Sequence, residues 1–196
     1  MGKQNEDLDA FRDALLLKYY DIVHDKMGII RPKMGNEINV IFSQMSVPLL
    51  LTSQECRVKM MENGEFIGKF LGEAYCDYAP LCPETSKNLE NLGKVRTKSE
   101  LESNTIVVEF KKFMLNSRYG ILEVGDLKNN ELILRLRECG ECCGLPVFKD
   151  MSCLFILGMF KSFFVKLLGK KIEAMESKCK GRGDEFCEFV LKLTND

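Results

Sequence analysis

Glu176, Cys179 and Cys187 stand close together in the stretch Glu176-Ser177-Lys178-Cys179-Lys180-Gly181-Arg182-Gly183-Asp184-Glu185-Phe186-Cys187. A carboxylate is followed by one thiol three residues later and by a second eight residues after that, with a Gly-Arg-Gly-Asp turn between the thiols. Cys153 adds a third thiol at the head of a very apolar segment. Zinc favours four ligands drawn from thiolate, imidazole and carboxylate, set in a tetrahedron. Cys153, Glu176, Cys179 and Cys187 supply three sulfurs and one oxygen. Such a set leaves no open position, so the zinc site it would form is structural rather than catalytic. Three thiolates and a carboxylate around a divalent ion leave a formal charge of about −2, which the flanking Lys178, Lys180 and Arg182 could offset. The competing reading is of buried thiols and a surface glutamate beside a tight turn. Glu-x-x-Cys is a weaker zinc signature than paired Cys-x-x-Cys knuckles.

A second thiol cluster, Cys139, Cys142 and Cys143, lies in Cys139-Gly140-Glu141-Cys142-Cys143-Gly144. Cys-x-x-Cys serves as a redox pair or as half of a metal site. No second Cys-x-x-Cys completes a four-sulfur site, and the preceding strands do not offer the βαβ context of a thioredoxin-like motif. Three uses stay open: buried or free thiols, a contribution to a metal or cofactor, and redox chemistry.

Composition narrows the classes. The chain has 196 residues, 45% of them hydrophobic and 29% charged, with formal net charge −1. That is an ordinary soluble balance, long enough for a sizeable core. Proteins that grip nucleic acid electrostatically carry a basic excess, so that class is not expected. The polar, acidic N-terminus shows no secretory signal. The best membrane candidate, 153–164, is interrupted by Lys161 and Lys166 well short of a span. The protein is placed in the cytoplasm, where nine cysteines point to metal binding or burial rather than disulfides. The only histidine is His24, read as a surface residue, and there is no tryptophan. His-rich metal sites are excluded, and Ser-His or Cys-His catalysis is not expected.

The elements that would position these thiols read as α+β. Residues 8–27 predict an amphipathic helix through Leu8, Phe11, Leu15, Tyr19 and Ile22. A turn follows at 31–35, then a helix over 39–51 kinked near Pro48. Further helix is expected over 54–61 and 65–75, interrupted at Asn63-Gly64, with Cys56, Cys76 and Cys82 as buried small hydrophobes. Residues 84–101 are a solvated helix or a lid. Runs at 105–110, 118–124 and 131–137 read as three strands of an antiparallel meander, with a turn at Asn129-Asn130 preceded by Gly125-Asp126. Residues 153–168 form a buried central helix, whose Gly158, Lys161, Ser162 and Lys166 make one narrow polar stripe. Residues 171–179 and 185–193 close the chain as a hairpin.

Glu176-x-x-Cys179-x-x-x-Gly183-Asp184-x-x-Cys187-x-Phe189, with Cys153 upstream, resembles the 4-vinyl reductase domain family. Arg31-Pro32-x-Met34-Gly35 followed by Val40-x-Phe42 looks like its N-terminal signature. The resemblance spans roughly residues 31–193, and its C-terminal motif is the specific part. It implies a ligand-binding domain over 31–196 behind a helical extension over 1–30. The implied α+β fold has N-terminal helices, an antiparallel β-sheet and a buried central helix. That fold is shared with vesicle-tethering subunits and haem-based nitric oxide sensors, and it typically forms homodimers. In the related phenol- and toluene-responsive transcription activators one Glu and three Cys bind zinc, which implies Cys153, Glu176, Cys179 and Cys187 as ligands here. Those sensors hold a small apolar or aromatic molecule beside the zinc, and the resemblance places Leu134, Leu157 and Ala174 on that pocket wall. They grip the phenol hydroxyl with a His and a Trp. This chain has no Trp and only the distant His24, so phenol itself is not the expected ligand.

The leading expectation is a zinc-containing small-molecule sensor that signals to a separate partner protein. No Walker A loop, Gly-x-Gly-x-x-Gly fingerprint or triad marks an enzyme. One alternative is an enzyme or accessory acting on a tetrapyrrole vinyl group, as the family name implies, although no dinucleotide-binding signature supplies a hydride. The other is an interaction scaffold like the tethering subunits, an analogy at the level of fold.

Overall fold

A computed structural model describes residues 31–34, 54–128, 130–143, 145, 147, 149 and 152–194. The helices expected over 8–27 and 39–51, His24 and the domain boundary at residue 30 lie outside the described residues. The first described helix, α1, runs Gln54–Tyr78. Two short helices follow, α2 (Pro83–Leu92) and α3 (Lys98–Ser103), and then α4 (Thr105–Asn116). Strands β1 (Ile121–Lys128) and β2 (Glu131–Arg137) form a hairpin, helix α5 (Leu154–Leu168) crosses over, and β3 (Lys171–Lys178) and β4 (Cys187–Thr194) form a second hairpin. The four strands are antiparallel in the order β1-β2-β4-β3. The fold is α+β, with helices ahead of an antiparallel sheet and a buried central helix packed between α1 and the sheet.

Local sequence explains most of these elements. In β2, Leu132, Leu134 and Leu136 are buried while Ile133, Arg135 and Arg137 are not, as period-two alternation requires. On the inner face Leu134 faces Phe189 and Leu136 faces Cys187; on the outer face Arg135 faces Glu188, and the two pair at 2.7 Å. Asn130 takes the left-handed conformation (φ 63°) in the β1–β2 turn. Gly125-Asp126 sits inside β1, where the register shifts between Val124 and Leu127, and so belongs to an irregularity in the strand rather than to the turn.

The run Thr105-Ile106-Val107-Val108-Glu109-Phe110 is helical, which corrects the expected first strand and reduces the meander to one hairpin. Its β-branched residues favour strands. Two facts override that preference. Asn104 caps the helix by accepting the N–H of Ile106 at 3.0 Å. Ile106, Val107, Phe110 and Met114 then share one buried face at helical spacing. Phe110 stacks on Phe163 of α5 with ring centroids 4.0 Å apart, and Phe160 meets Phe189 of β4 edge-on at 5.1 Å.

Helix α1 continues through Asn63-Gly64, where an interruption was expected. Gly64, Gly68 and Gly72 recur every fourth residue and lie against α5. A Cβ on Gly68 would come within 2.1 Å of the Met159 carbonyl oxygen, and one on Gly158 of α5 within 2.2 Å of the Met61 carbonyl oxygen. Backbones this close admit only glycine. The polar stripe of α5 faces α1 as well: Lys161 pairs with Glu65 at 2.7 Å and Lys166 with Glu73 at 3.2 Å. Cys56, Cys76 and Cys82 are half-buried rather than core residues. Segment 84–101 forms α2 and α3, the latter opened by a capping box of Thr97 and Glu100.

Candidate metal centre

The start of α5 brings the functional residues together. Leu154 to Leu168 are apolar enough to bury the helix, and burial strands its first N–H groups. The side chain of Cys153, at the N-cap, makes no capping hydrogen bond. Two carboxylates from other elements fill that role. Glu176 of β3 accepts the Cys153 N–H at 2.9 Å and the Ser152 hydroxyl at 2.7 Å, both on Oε2. Glu141 accepts the N–H groups of Phe155 and Ile156, each at 3.2 Å, and is 1% exposed. Glu141 is a helix cap in space, contributed by the loop after β2. Sequence reading missed it because no i-to-i+3 spacing marks a cap from a distant segment.

Cys153, Cys179 and Cys187 then converge. The Sγ of Cys153 lies 3.8 Å from those of both Cys179 and Cys187. With Glu176, one ligand atom per residue lies within 4.8 Å of all the others. The turn after β3 holds this geometry: Asp184 accepts the Cys179 N–H at 2.7 Å, and Gly183 takes φ 102°. The charges expected beside the site come from this same turn, and the Lys180 N–H points to Cys187 Sγ at 3.4 Å.

These residues fit a tetrahedral ion. Zinc–sulfur bonds of about 2.3 Å give tetrahedron edges of about 3.8 Å, which is the spacing of Cys153 from its two partners. Glu176 Oε1 is buried without a hydrogen-bond partner, and a buried, unpaired carboxylate oxygen is costly unless a cation completes it. Protonation is the other way to relieve it. Burial first, then the Cys179 thiolate, push the Glu176 carboxyl up to about 8. Cys179 is held well below the ordinary thiol value by hydrogen bonds from Cys142, Cys153 and Cys187, while burial pushes Cys153 up. A metal held here would tie α5 to the β3–β4 hairpin and stabilise the fold.

The Cys-x-x-Cys segment joins the same place, which spacing along the chain did not reveal. Cys139 Sγ is 3.6 Å from Cys153, and Cys142 Sγ is 3.3 Å from Cys187. Cys139, Cys142, Cys153 and Cys187 form a second four-donor set, all buried. The missing second half of a four-sulfur site is thus supplied by single cysteines from α5 and β4. Cys143 is buried and its thiol is pushed up to about 11 by desolvation, but it joins neither set.

Arg31 anchors this loop, a role that sequence reading did not assign to it. It is 0% exposed, donates from Nε to the Glu138 carbonyl at 2.8 Å and from its other side to the Arg118 carbonyl. Glu138 in turn accepts the N–H groups of Lys33 and Met34. The N-terminal Arg-Pro-x-Met signature therefore packs directly beside the cysteine loop.

The expected pocket residues lie in the core. Leu134 and Leu157 are buried and Ala174 packs against the same cluster. A cavity of about 310 Å³ opens instead at the far end of α5. It is lined largely by apolar residues, among them Leu92, Leu101, Leu132, Phe164 and Leu168, with Arg96 and Lys170 also on its wall. Among the described residues, no helix is long and apolar enough to cross a membrane.

Residues 132–193 match the family model of the 4-vinyl reductase domain, a segment that holds β2, α5, the β3–β4 hairpin and both cysteine sets. An uncharacterized protein of Methanocaldococcus jannaschii is 32% identical over 104 residues, 53% of this chain and 60% of that protein. The chain thus spans about three fifths of that relative's length, and 61% of a second one from the same organism. Among solved structures, trafficking protein particle complex subunit 3 from Naegleria fowleri, covalently bound to palmitic acid, covers 80% of this chain and 93% of its own at TM-score 0.56 and 15% identity. The phenol-responsive sensory domain of the transcription activator PoxR, with phenol, covers 80% and 74% at TM-score 0.53 and 13% identity. At those identities the likeness is one of fold. The chain carries a 4-vinyl reductase domain over residues 132–193, in an α+β fold that it shares with a tethering subunit and an aromatic-ligand sensor.

Proposed function

We propose that this chain is a small-molecule-binding sensory module. Zinc at Cys153, Glu176, Cys179 and Cys187 plays a structural part in it, and an apolar ligand occupies the cavity at the opposite end of α5. The observation that carries the reading is the cavity itself: about 310 Å³, walled mainly by leucines and Phe164, with a few polar groups at one side. That volume and lining suit a small ligand. Arg96 and Lys170 complement a polar or anionic group on an otherwise apolar molecule. Fifteen residues of α5, about 22 Å of helix, join the metal end to the cavity end. A ligand that wedges against Phe164 or Leu168 therefore presses on the element that the metal anchors. The module acts as a homodimer and reports to a separate protein.

The test is a binding titration with anilinonaphthalene sulfonate, an apolar probe with one anionic group, on the native chain and on Leu132→Trp, which fills the cavity. Saturable binding that the substitution weakens at least tenfold supports the reading. Equal binding by both proteins, or none by the native one, removes it. Sedimentation of the native chain tests the dimer.

A further inference from the structure

Six donors surround the head of α5, more than one tetrahedral ion can use. Cys153, Glu176, Cys179 and Cys187 form one set, and Cys139, Cys142, Cys153 and Cys187 form another. The two sets share the sulfurs of Cys153 and Cys187, and these lie 3.8 Å apart. Two tetrahedra with a common edge need six donors, two of them bridging. Five cysteines and one glutamate meet that count. Each shared sulfur also has a close neighbour in the second set, at 3.6 Å from Cys139 to Cys153 and 3.3 Å from Cys142 to Cys187. These distances are far from the roughly 2.05 Å of a disulfide and close to the edge of a thiolate tetrahedron, about 3.8 Å.

We propose that the chain holds two divalent zinc-like ions in a thiolate-bridged pair, the second ion bound by Cys139 and Cys142 and sharing Cys153 and Cys187 with the first. The proposal rests on the first site of the reading above and adds a second to it. Thiolate-rich donors select zinc among the common divalent ions. Electrostatics favour the pair over a single ion. Five thiolates and one carboxylate against two divalent ions leave a charge of about −2, whereas one ion would leave any further thiolate uncompensated in a dry core. Positive groups stand close on both sides. The buried Arg31 guanidinium lies 3.6 Å from the position of a Cβ on Gly140, between Cys139 and Cys142, and the Lys180 N–H reaches Cys187. Loading would also order the 139–143 loop, because its cysteines would then be tied to α5 and β4.

Two measurements on the native sequence test this. Elemental analysis of protein purified without chelator is expected to give about two zinc ions per chain. Replacement of that zinc by cobalt(II) is expected to raise sulfur-to-cobalt charge-transfer absorbance in proportion up to about two equivalents. The electron paramagnetic resonance of high-spin cobalt should grow over the first equivalent and fall over the second, as bridging sulfurs couple the spins. The Cys139→Ser, Cys142→Ser double variant should bind half as much metal and keep its resonance at saturation. The Glu176→Gln, Cys179→Ser variant should also bind half, in the other set. A native chain that saturates at one equivalent with an undiminished cobalt signal overturns the second ion and leaves the first site standing. A native chain that binds no metal overturns both.

Discussion

Glu176 Oε2 accepts the backbone N–H of Cys153 at 2.9 Å, so one carboxylate both caps the central helix and adjoins the thiol at its head. Its other oxygen is buried without a hydrogen-bond partner. Capping and metal binding can be separated by substitution. Glu176→Gln keeps an acceptor for Cys153 but loses the anionic donor, so it should weaken zinc at least tenfold with little change in the metal-free protein. Glu176→Ala should lose the cap as well and cost about 1–3 kcal/mol. Zinc competition with a chromophoric chelator and denaturant midpoints of the metal-free proteins read the two effects.

Glu141 carries a larger share of the helix start. It satisfies Phe155 and Ile156 from a fully buried position, and burial holds its carboxyl well above the ordinary value. Glu141→Ala leaves two buried N–H groups unpaired and should destabilise by about 2–3 kcal/mol. Glu141→Gln, which can still accept, should cost less. Urea midpoints at fixed metal loading give the comparison.

The contact of α1 with α5 depends on absent side chains. Alanine is favoured over glycine in a helix by about 1 kcal/mol. At Gly68 the added Cβ would meet the Met159 carbonyl oxygen at 2.1 Å, and overpacking of about 1–3 kcal/mol should outweigh that gain. Gly68→Ala should therefore lower the melting temperature. Gly93→Ala is the control, since its Cβ meets only the Glu90 carbonyl oxygen at 3.6 Å, and it should be within about 0.5 kcal/mol of native.

The start of α3 predicts an acid effect of known sign. The N–H groups of Arg96, at 2.8 Å, and Thr97, at 3.1 Å, hold the Glu100 carboxyl below its usual value. A depressed folded value means that the stabilisation is complete above the unfolded value and is lost as pH falls through the folded one. The difference in melting temperature between native protein and Glu100→Gln should be constant near neutrality and shrink on acidification below about pH 4.3. Thr97→Ala, which removes the reciprocal hydrogen bond to the Glu100 N–H at 3.2 Å, should cost about 1 kcal/mol at neutral pH.

Elements with strong local periodicity were legible in the chain. The Leu132, Leu134, Leu136 alternation, the apolar run of α5 and the terminal hairpin all formed where their patterns put them. The run at 105–110 misled because β-branched residues pack on either a strand or a helix face, and the choice fell to the Asn104 cap and the packing of Phe110. Asn63-Gly64 misled because glycine was read as a break, when its role is to admit the backbone of α5. At the site, Cys153, Glu176, Cys179 and Cys187 were found by residue type and spacing, and the structure brings them together. Cys139 and Cys142 reach the same place only through the turn of chain between β2 and α5, and Arg31 and Glu141 act across long sequence separations. No local pattern encodes such contacts.

The account turns on metal at the head of α5. The most direct measurement is elemental analysis of the purified native chain beside Cys153→Ser, the sulfur common to both donor sets. The native protein should carry zinc at one or more equivalents per chain, and Cys153→Ser should lose it together with several degrees of melting temperature. A native chain without zinc, as stable as one reconstituted with it, would contradict the account and leave the six residues as a packed cluster of thiols.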